Sequence, residues 1–89
     1  MEGYILTNHA WKRAQQRGYR KEDIRFVLVH GTQTDRGIFL ARRDISRVAK
    51  RGPPTAAMAE RLKGTLIATT GNVVKTIFRA NRKQQSRLM

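Results

Sequence analysis

Thr65-Leu66-Ile67-Ala68-Thr69-Thr70-Gly71-Asn72-Val73-Val74-Lys75-Thr76-Ile77-Phe78-Arg79 is the stretch of this chain that decides its fold. β-Branched residues crowd both sides of Gly71-Asn72, and a glycine at the first position suits a two-residue turn between antiparallel strands. The pattern predicts a hairpin of Thr65–Thr70 with Val73–Arg79, in a register that sets Leu66 opposite Ile77. Residues 80–89 carry Arg82, Lys83 and Arg87 and no acid. They read as a basic tail, loose or helical, following a single domain at residues 1–80.

Upstream of the hairpin, Gly and Pro punctuate a series of short helical patterns. Asp44 is placed to cap a helix over Ile45–Arg51 that Gly52-Pro53-Pro54 ends, and Thr55 to cap one over Ala56–Lys63 that Gly64 ends. Thr32–Thr34 and Ile38–Arg42 read as two strands around Asp35-Arg36-Gly37, a three-residue connection with Gly37 in the left-handed position. Lys21–His30 reads as a helix with Glu22 and Asp23 in its first turn, where the helix dipole favours anions, and with Gly31 beyond its end. Asn8–Arg17 reads as another, with Thr7 as N-cap and Gly18 as C′ residue. Ala10, Trp11 and Ala14 share the face expected to be buried. With the apolar run Gly3–Leu6 ahead of it, the order predicts an α+β fold: two N-terminal helices packed on a mostly antiparallel sheet, with a short helical insertion between strands.

The chain has 89 residues, enough for one small domain. Lys and Arg number 19 against 6 Asp and Glu, a formal charge of +13 that calls for a polyanion, a lipid surface or an acidic partner. A mean hydropathy of -0.59 excludes a membrane-integral protein, and 39% hydrophobic content excludes a wholly disordered one. The absence of Cys rules out disulfides, a thiolate nucleophile and a Cys-type zinc site. Met1–Thr7 lacks a basic segment followed by a long apolar run, so no secretory signal is read there and the cytoplasm is the expected compartment.

Candidate chemistry is thinly spread. The basic residues fall in clusters: Lys12, Arg13, Arg17, Arg20 and Lys21; Arg42, Arg43, Arg47, Lys50 and Arg51; and seven from Arg61 to Arg87, with no acid after Glu60. Such a distribution predicts binding to nucleic-acid phosphates, strongly dependent on salt and largely indifferent to sequence. Lys12, Arg42, Arg43, Arg47, Lys75, Arg79, Arg82 and Lys83 are the candidate contacts. A solvated surface that keeps a small protein soluble is the alternative, disfavoured by the self-repulsion of so large an excess.

His9, Arg13 and Arg17 recur at i, i+4 and i+8 along one helix face. Cleavage of RNA by its own 2′-hydroxyl needs a base, an acid and cations on the phosphate, and an imidazole with two guanidiniums supplies such parts. A first-turn His beside Arg is more often an ordinary surface or capping residue. His30, at a helix C-terminus, reads as structural, and Asp44 with Arg47 as a cap with its ion-pair partner. No metal set, Walker loop, dinucleotide glycine pattern, zinc finger or RNA-recognition motif is present, so no metal or cofactor is expected.

The run Thr7-Asn8-His9-Ala10, Arg13, Gln16-Arg17-Gly18-Tyr19, followed by an acidic helix start and Val27-Leu28 before His30-Gly31, resembles the opening T-x-H-A-x-x-R-x-x-x-R-G-hydrophobic of a small family similar to the RelE/ParE toxin superfamily. Looser matches are Gly37, Asp44-Ile45-x-Arg47, Glu60-Arg61-Leu62-Lys63-Gly64 and Val74-Lys75-Thr76-Ile77-Phe78-Arg79. The resemblance implies two N-terminal helices against an antiparallel sheet and, in active members, metal-independent cleavage of RNA, often messenger RNA on the ribosome, with an acidic antitoxin as partner. It places His9, Arg13 and Arg17 in the opening motif and Arg47 and Thr76 in the later matches. Two positions depart. Arg20 stands where a hydroxyl usually caps the second helix, so capping must come from elsewhere. No Tyr follows Tyr19, and Phe78 cannot donate a proton as the C-terminal aromatic hydroxyl of such nucleases does. A relative that only binds DNA or ribosomal RNA, or one that adds a strand from an acidic polypeptide to its sheet edge, is the alternative.

Overall fold

The computed structural model describes residues 3–81. Its elements are β1 (Ile5–Leu6), α1 (Asn8–Gln16), α2 (Lys21–His30), β2 (Thr32–Thr34), β3 (Gly37–Phe39), α3 (Arg42–Ala49), α4 (Pro53–Leu62), β4 (Thr65–Thr70) and β5 (Val73–Arg79). They form an α+β fold whose five strands lie in one sheet in the order β1-β5-β4-β3-β2. The pairings are antiparallel except that of β1 with β5, so the sheet is mixed rather than wholly antiparallel. No helix among the described residues is long and apolar enough to cross a membrane. The basic tail read at residues 81–89, with Arg82 and Lys83, lies outside the described residues from 82 onward.

The first two helices start and stop for the reasons their sequence suggests. Thr7 accepts the Ala10 N–H at 3.1 Å as N-cap of α1. Gly18, at φ 84, ends it with two bonds, Tyr19 N–H to Ala14 O and Gly18 N–H to Gln15 O, at 2.9 and 3.0 Å. That pair of bonds is a Schellman ending, which only a left-handed C′ residue permits. In α2 the missing hydroxyl cap is replaced by Asp23, whose carboxylate accepts the Arg20 N–H at 2.9 Å.

The two inserted helices begin earlier than the sequence reading places them. Asp44 is not the N-cap of α3 but sits three residues after it, where its carboxylate accepts the Ala41 N–H at 2.8 Å. Residues 40–42, read as strand, therefore leave the sheet into a helix. α4 starts at Pro53, not after Thr55, because a proline at the first helical position loses no hydrogen bond and already has a helical φ.

The two hairpins also depart in register. Thr34 pairs with Gly37, so Asp35-Arg36 is a two-residue turn and Gly37 belongs to β3. Glycine is required there by close approach: a Cβ at Gly37 would lie 2.0 Å from Ile67 O, and its φ is 139. In the C-terminal hairpin Thr70 pairs with Val73 across Gly71-Asn72, as expected, but Leu66 pairs with Phe78 and Ile67 with Ile77. The one-step shift arises at a β-bulge: Thr69 pairs with Val74 and Ala68 with Thr76, leaving Lys75 as the extra residue.

Alternation then sorts the strands into two faces. Ile38, Leu40, Ile67, Val74 and Ile77 meet Ala10, Ala14, Ile24, Val27, Ile45, Val48, Ala59 and Leu62 in the main core beneath the helices. Phe39, Ala41, Leu66 and Ala80, with Phe78 against them, form a smaller cluster on the other face. Full burial of each large aliphatic contributes about 1.5–3 kcal/mol, so the helix-side core dominates.

Gly37→Ala is expected to lower unfolding free energy by about 3 kcal/mol in urea titration, because β3 must move away from β4 or the new methyl must overlap Ile67 O. A loss below about 1 kcal/mol would show that the strands separate freely there.

Candidate nucleic-acid interface

The helix α1 and its C-cap deliver four of the sequence candidates to different places. His9, Lys12 and Arg13 are exposed on its outer surface, and no side-chain hydrogen bond or ion pair within the described residues holds His9 or Arg13. Arg17, at the C-terminal end, turns back onto β5, where its Nη1 donates to Ile77 O at 2.8 Å and Thr76 Oγ1 at 3.0 Å. Eight residues of helix separate His9 from Arg17 by about 12 Å. His9, Arg13 and Arg17 share a helix face, and of these Arg17 alone lines the cleft beside β5.

That cleft, of about 480 Å³, is lined by Arg17, Gly18, Tyr19, Arg61, Leu62, Phe78 and Arg79. Its arginines are fixed in three ways. Arg17 is held by the β5 carbonyl just described. Arg79 donates through Nη1 to Lys63 O and through Nη2 to Arg61 O, both at 2.7 Å. Arg61 forms an ion pair with the fully buried Asp23, to which it donates through Nη2 at 2.5 Å. Asp23 offsets the charge of Arg61, whereas no carboxylate among the described residues pairs with Arg17 or Arg79. The cleft therefore presents two uncompensated guanidiniums whose orientation is set by neutral carbonyls. Donors of this kind suit an anion of one or two charges, and phosphate above all.

Burial pushes the Asp23 carboxyl upward, but the Arg61 hydrogen bond, the Arg20 amide and the charges of Arg61 and Arg20 outweigh it, so its pKa lies below the ordinary value. Asp23 is thus an ion-paired anchor at neutral pH and not a proton donor. No group of three or more His, Asp or Glu side chains is arranged to hold a metal among the described residues.

The α3 candidates divide similarly. Arg42, Arg43 and Lys50 are exposed. Arg47 is committed internally, with its Nη2 donating to Asp44 Oδ1 at 2.8 Å and to His30 O at 2.7 Å. Asp44 is almost wholly buried and also accepts from Thr32 Oγ1 at 2.9 Å, so the cap and ion-pair reading of Asp44 with Arg47 describes the contact. Burial, then the charges of Arg51 and Arg47, push the His30 pKa down against a weaker pull from Asp44. Arg47 supplies positive charge at the end of α2 through its bond to His30 O. The ring of His30 lies against Phe26 with centroids 4.6 Å apart. Lys75 is exposed on the bulge of β5.

Sequence reasoning singled out Arg17 and Arg79 but did not group them, and it missed Arg61, Tyr19 and Phe78 as members of the same cleft. Arg61 had a faint signal, as the one arginine in the last turn of the final helix, while Asp23 stands 38 residues earlier. Compared with known protein families, characterised proteins and solved structures, the chain matches none.

Because the folded pKa of Asp23 is depressed, its contribution to stability is complete above the unfolded value of about 3.9 and is lost as pH falls through the folded value. Urea titrations of wild type from pH 6 down to pH 2 should show this loss. In Asp23→Asn the acid limb should be shallower, with stability at pH 6 lower by about 3 kcal/mol because Arg61 loses its ionised partner and an NH2 replaces one of the two oxygens that accept from Arg61 and the Arg20 amide. Equal acid slopes in the two proteins would remove Asp23 from the titration.

Proposed function

We propose that this is an RNA-binding protein of RelE-like type, which grips the phosphodiester backbone in the Arg17–Arg79 cleft and along the exposed Lys12–Arg13 face of α1. The observation that carries the reading is the cleft itself: two guanidiniums, free of any carboxylate and fixed by backbone carbonyls, in a chain of net charge +13. Fixed donors lose little freedom on binding, and the surrounding charge draws the polyanion in. Exposed Arg42, Arg43 and Lys75 extend the basic surface beyond the cleft.

Ribonuclease activity of the toxin kind is the second reading. It is supported by His9 and Arg13, which stand exposed on the face of α1 that runs down to Arg17. The binding reading is preferred because the cleft contains no imidazole or unpaired carboxylate to move a proton, and His9 lies two helical turns from it. A cytoplasmic setting, an acidic antitoxin and a ribosome-bound messenger remain parts of the same proposal through the resemblance of residues 7–19.

Binding of labelled RNA should weaken steeply with salt, and the double variant Arg17→Gln, Arg79→Gln should lower the log–log salt slope by about 1.4, the share of two phosphate contacts on a single strand. Affinity in moderate salt should fall at least tenfold. An unchanged slope with a folded variant would move the phosphate contacts elsewhere. Incubation of RNA in EDTA, with and without ribosomes, tests the second reading: cleavage by wild type and none by His9→Ala would establish it, and intact RNA in every lane would end it.

A further inference from the structure

The outward side of α3 is a second cationic face. Ile45, Val48 and the carboxylate of Asp44 point into the protein, which leaves Arg42, Arg43, Ser46, Arg47 and Lys50 in solvent. Arg42, Ser46 and Lys50 follow one another at i, i+4 and i+8, a row about 12 Å long, with Arg43 beside it. Arg47 is spent on Asp44 and His30 O. Arg42, Arg43 and Lys50 pair with no carboxylate among the described residues. Neither of the exposed large hydrophobics, Ile5 and Val29, belongs to this helix. A face without apolar side chains lacks the buried centre of a protein interface and the wedge that enters a lipid surface. It suits a chain of phosphates.

This face is set apart from the one proposed above. The end of α1 is fastened to β5 by Arg17, whereas α3 is fastened to β2, at the far edge of the sheet, by Asp44 and Thr32. Three strand spacings, about 14 Å, separate β5 from β2. Between the two lies α2, which packs over β3 and β4, and α4 packs on both α2 and α3. Charge follows the same division. No acid occurs in α1, and the one acid of α3 is buried. The exposed carboxylates Glu22 and Glu60 stand on α2 and α4, so a phosphate backbone running from one cationic face to the other would pass them.

We infer that α3 is a second RNA-binding face and that one molecule joins two RNA segments, one along α1 and the Arg17–Arg79 cleft and one along Arg42, Arg43 and Lys50. This rests on the RNA-binding reading above and adds a partner to it. The test is sandwich capture. Biotinylated RNA on beads is loaded with protein, and a labelled RNA of unrelated, non-complementary sequence is added. Wild type should retain the labelled RNA. With protein on the beads matched to wild type, the variant Arg42→Gln, Arg43→Gln, Lys50→Gln should retain at least fivefold less. A charge-matched variant, Arg20→Gln, Arg36→Gln, Lys63→Gln, should retain at least half as much as wild type. Protein held on the beads without capture of labelled RNA would overturn the second face and leave the RNA-binding reading standing. Equal losses in the two variants would overturn it too, by making bridging a matter of total charge, as would capture undiminished in the α3 variant, which would assign bridging to self-association. Protein that does not bind the immobilised RNA at all would overturn both.

Discussion

Val74 and Ile77 must lie under the same helices, yet three residues along a regular strand put two side chains on opposite faces of the sheet. The bulge at Lys75 resolves that conflict by taking one residue out of the pairing with β4. Much of the molecule depends on it. It brings Ile77 beside Ile67 in the main core and leaves Phe78 beside Leu66 on the other face. The same turn of the strand offers Ile77 O to Arg17, which is how the end of α1 is fastened to β5. The β5 strand also carries β1 in parallel at Val73 and Val74, immediately before the extra residue.

A second constraint is electrostatic. The chain has six acidic residues, and its two buried aspartates are spent on internal joints. Asp23 caps α2 and ties α4 to it through Arg61, whereas Asp44 caps α3 and ties it to Thr32 of β2 and, through Arg47, to the end of α2. Breaking such a buried pair leaves a stranded charge, which is why these contacts constrain the packing more than the exposed pairs Arg20–Glu22 and Lys63–Glu60 do. The consequence for function is a matter of subtraction. Acids used internally do not offset the surface, and the guanidiniums of Arg17 and Arg79 face the cleft uncompensated. The site is made by where the negative charge is not.

Local chemistry made much of this legible. Thr7 and Gly18 bound α1, Glu22 and Asp23 mark the start of α2, and Gly71-Asn72 between β-branched runs gives the last hairpin, because each signal acts within a few residues of its partner. The errors came where a local rule had two solutions. An aspartate can cap from the N-cap or from three residues later, and Asp44 does the second because Ala41 is the first residue past the β3–β4 pairing, which Leu40 N–H to Thr65 O at 3.0 Å still extends. Gly37 could serve a turn or a close strand contact, and it serves the contact because β4 passes against it.

By itself the sequence determined the α+β class, the order of its elements and the excess of cationic side chains, since these follow from composition and short-range periodicity. Only the tertiary structure decided the register of β5, the partners of Asp23 and Asp44, and the meeting of Arg17, Tyr19, Arg61, Phe78 and Arg79 in one cleft. Those residues come from α1, the α1–α2 connection, α4 and β5. Nothing local couples them. Their proximity is a result of burying two sheet faces and a helix layer at once, which no window of the chain contains.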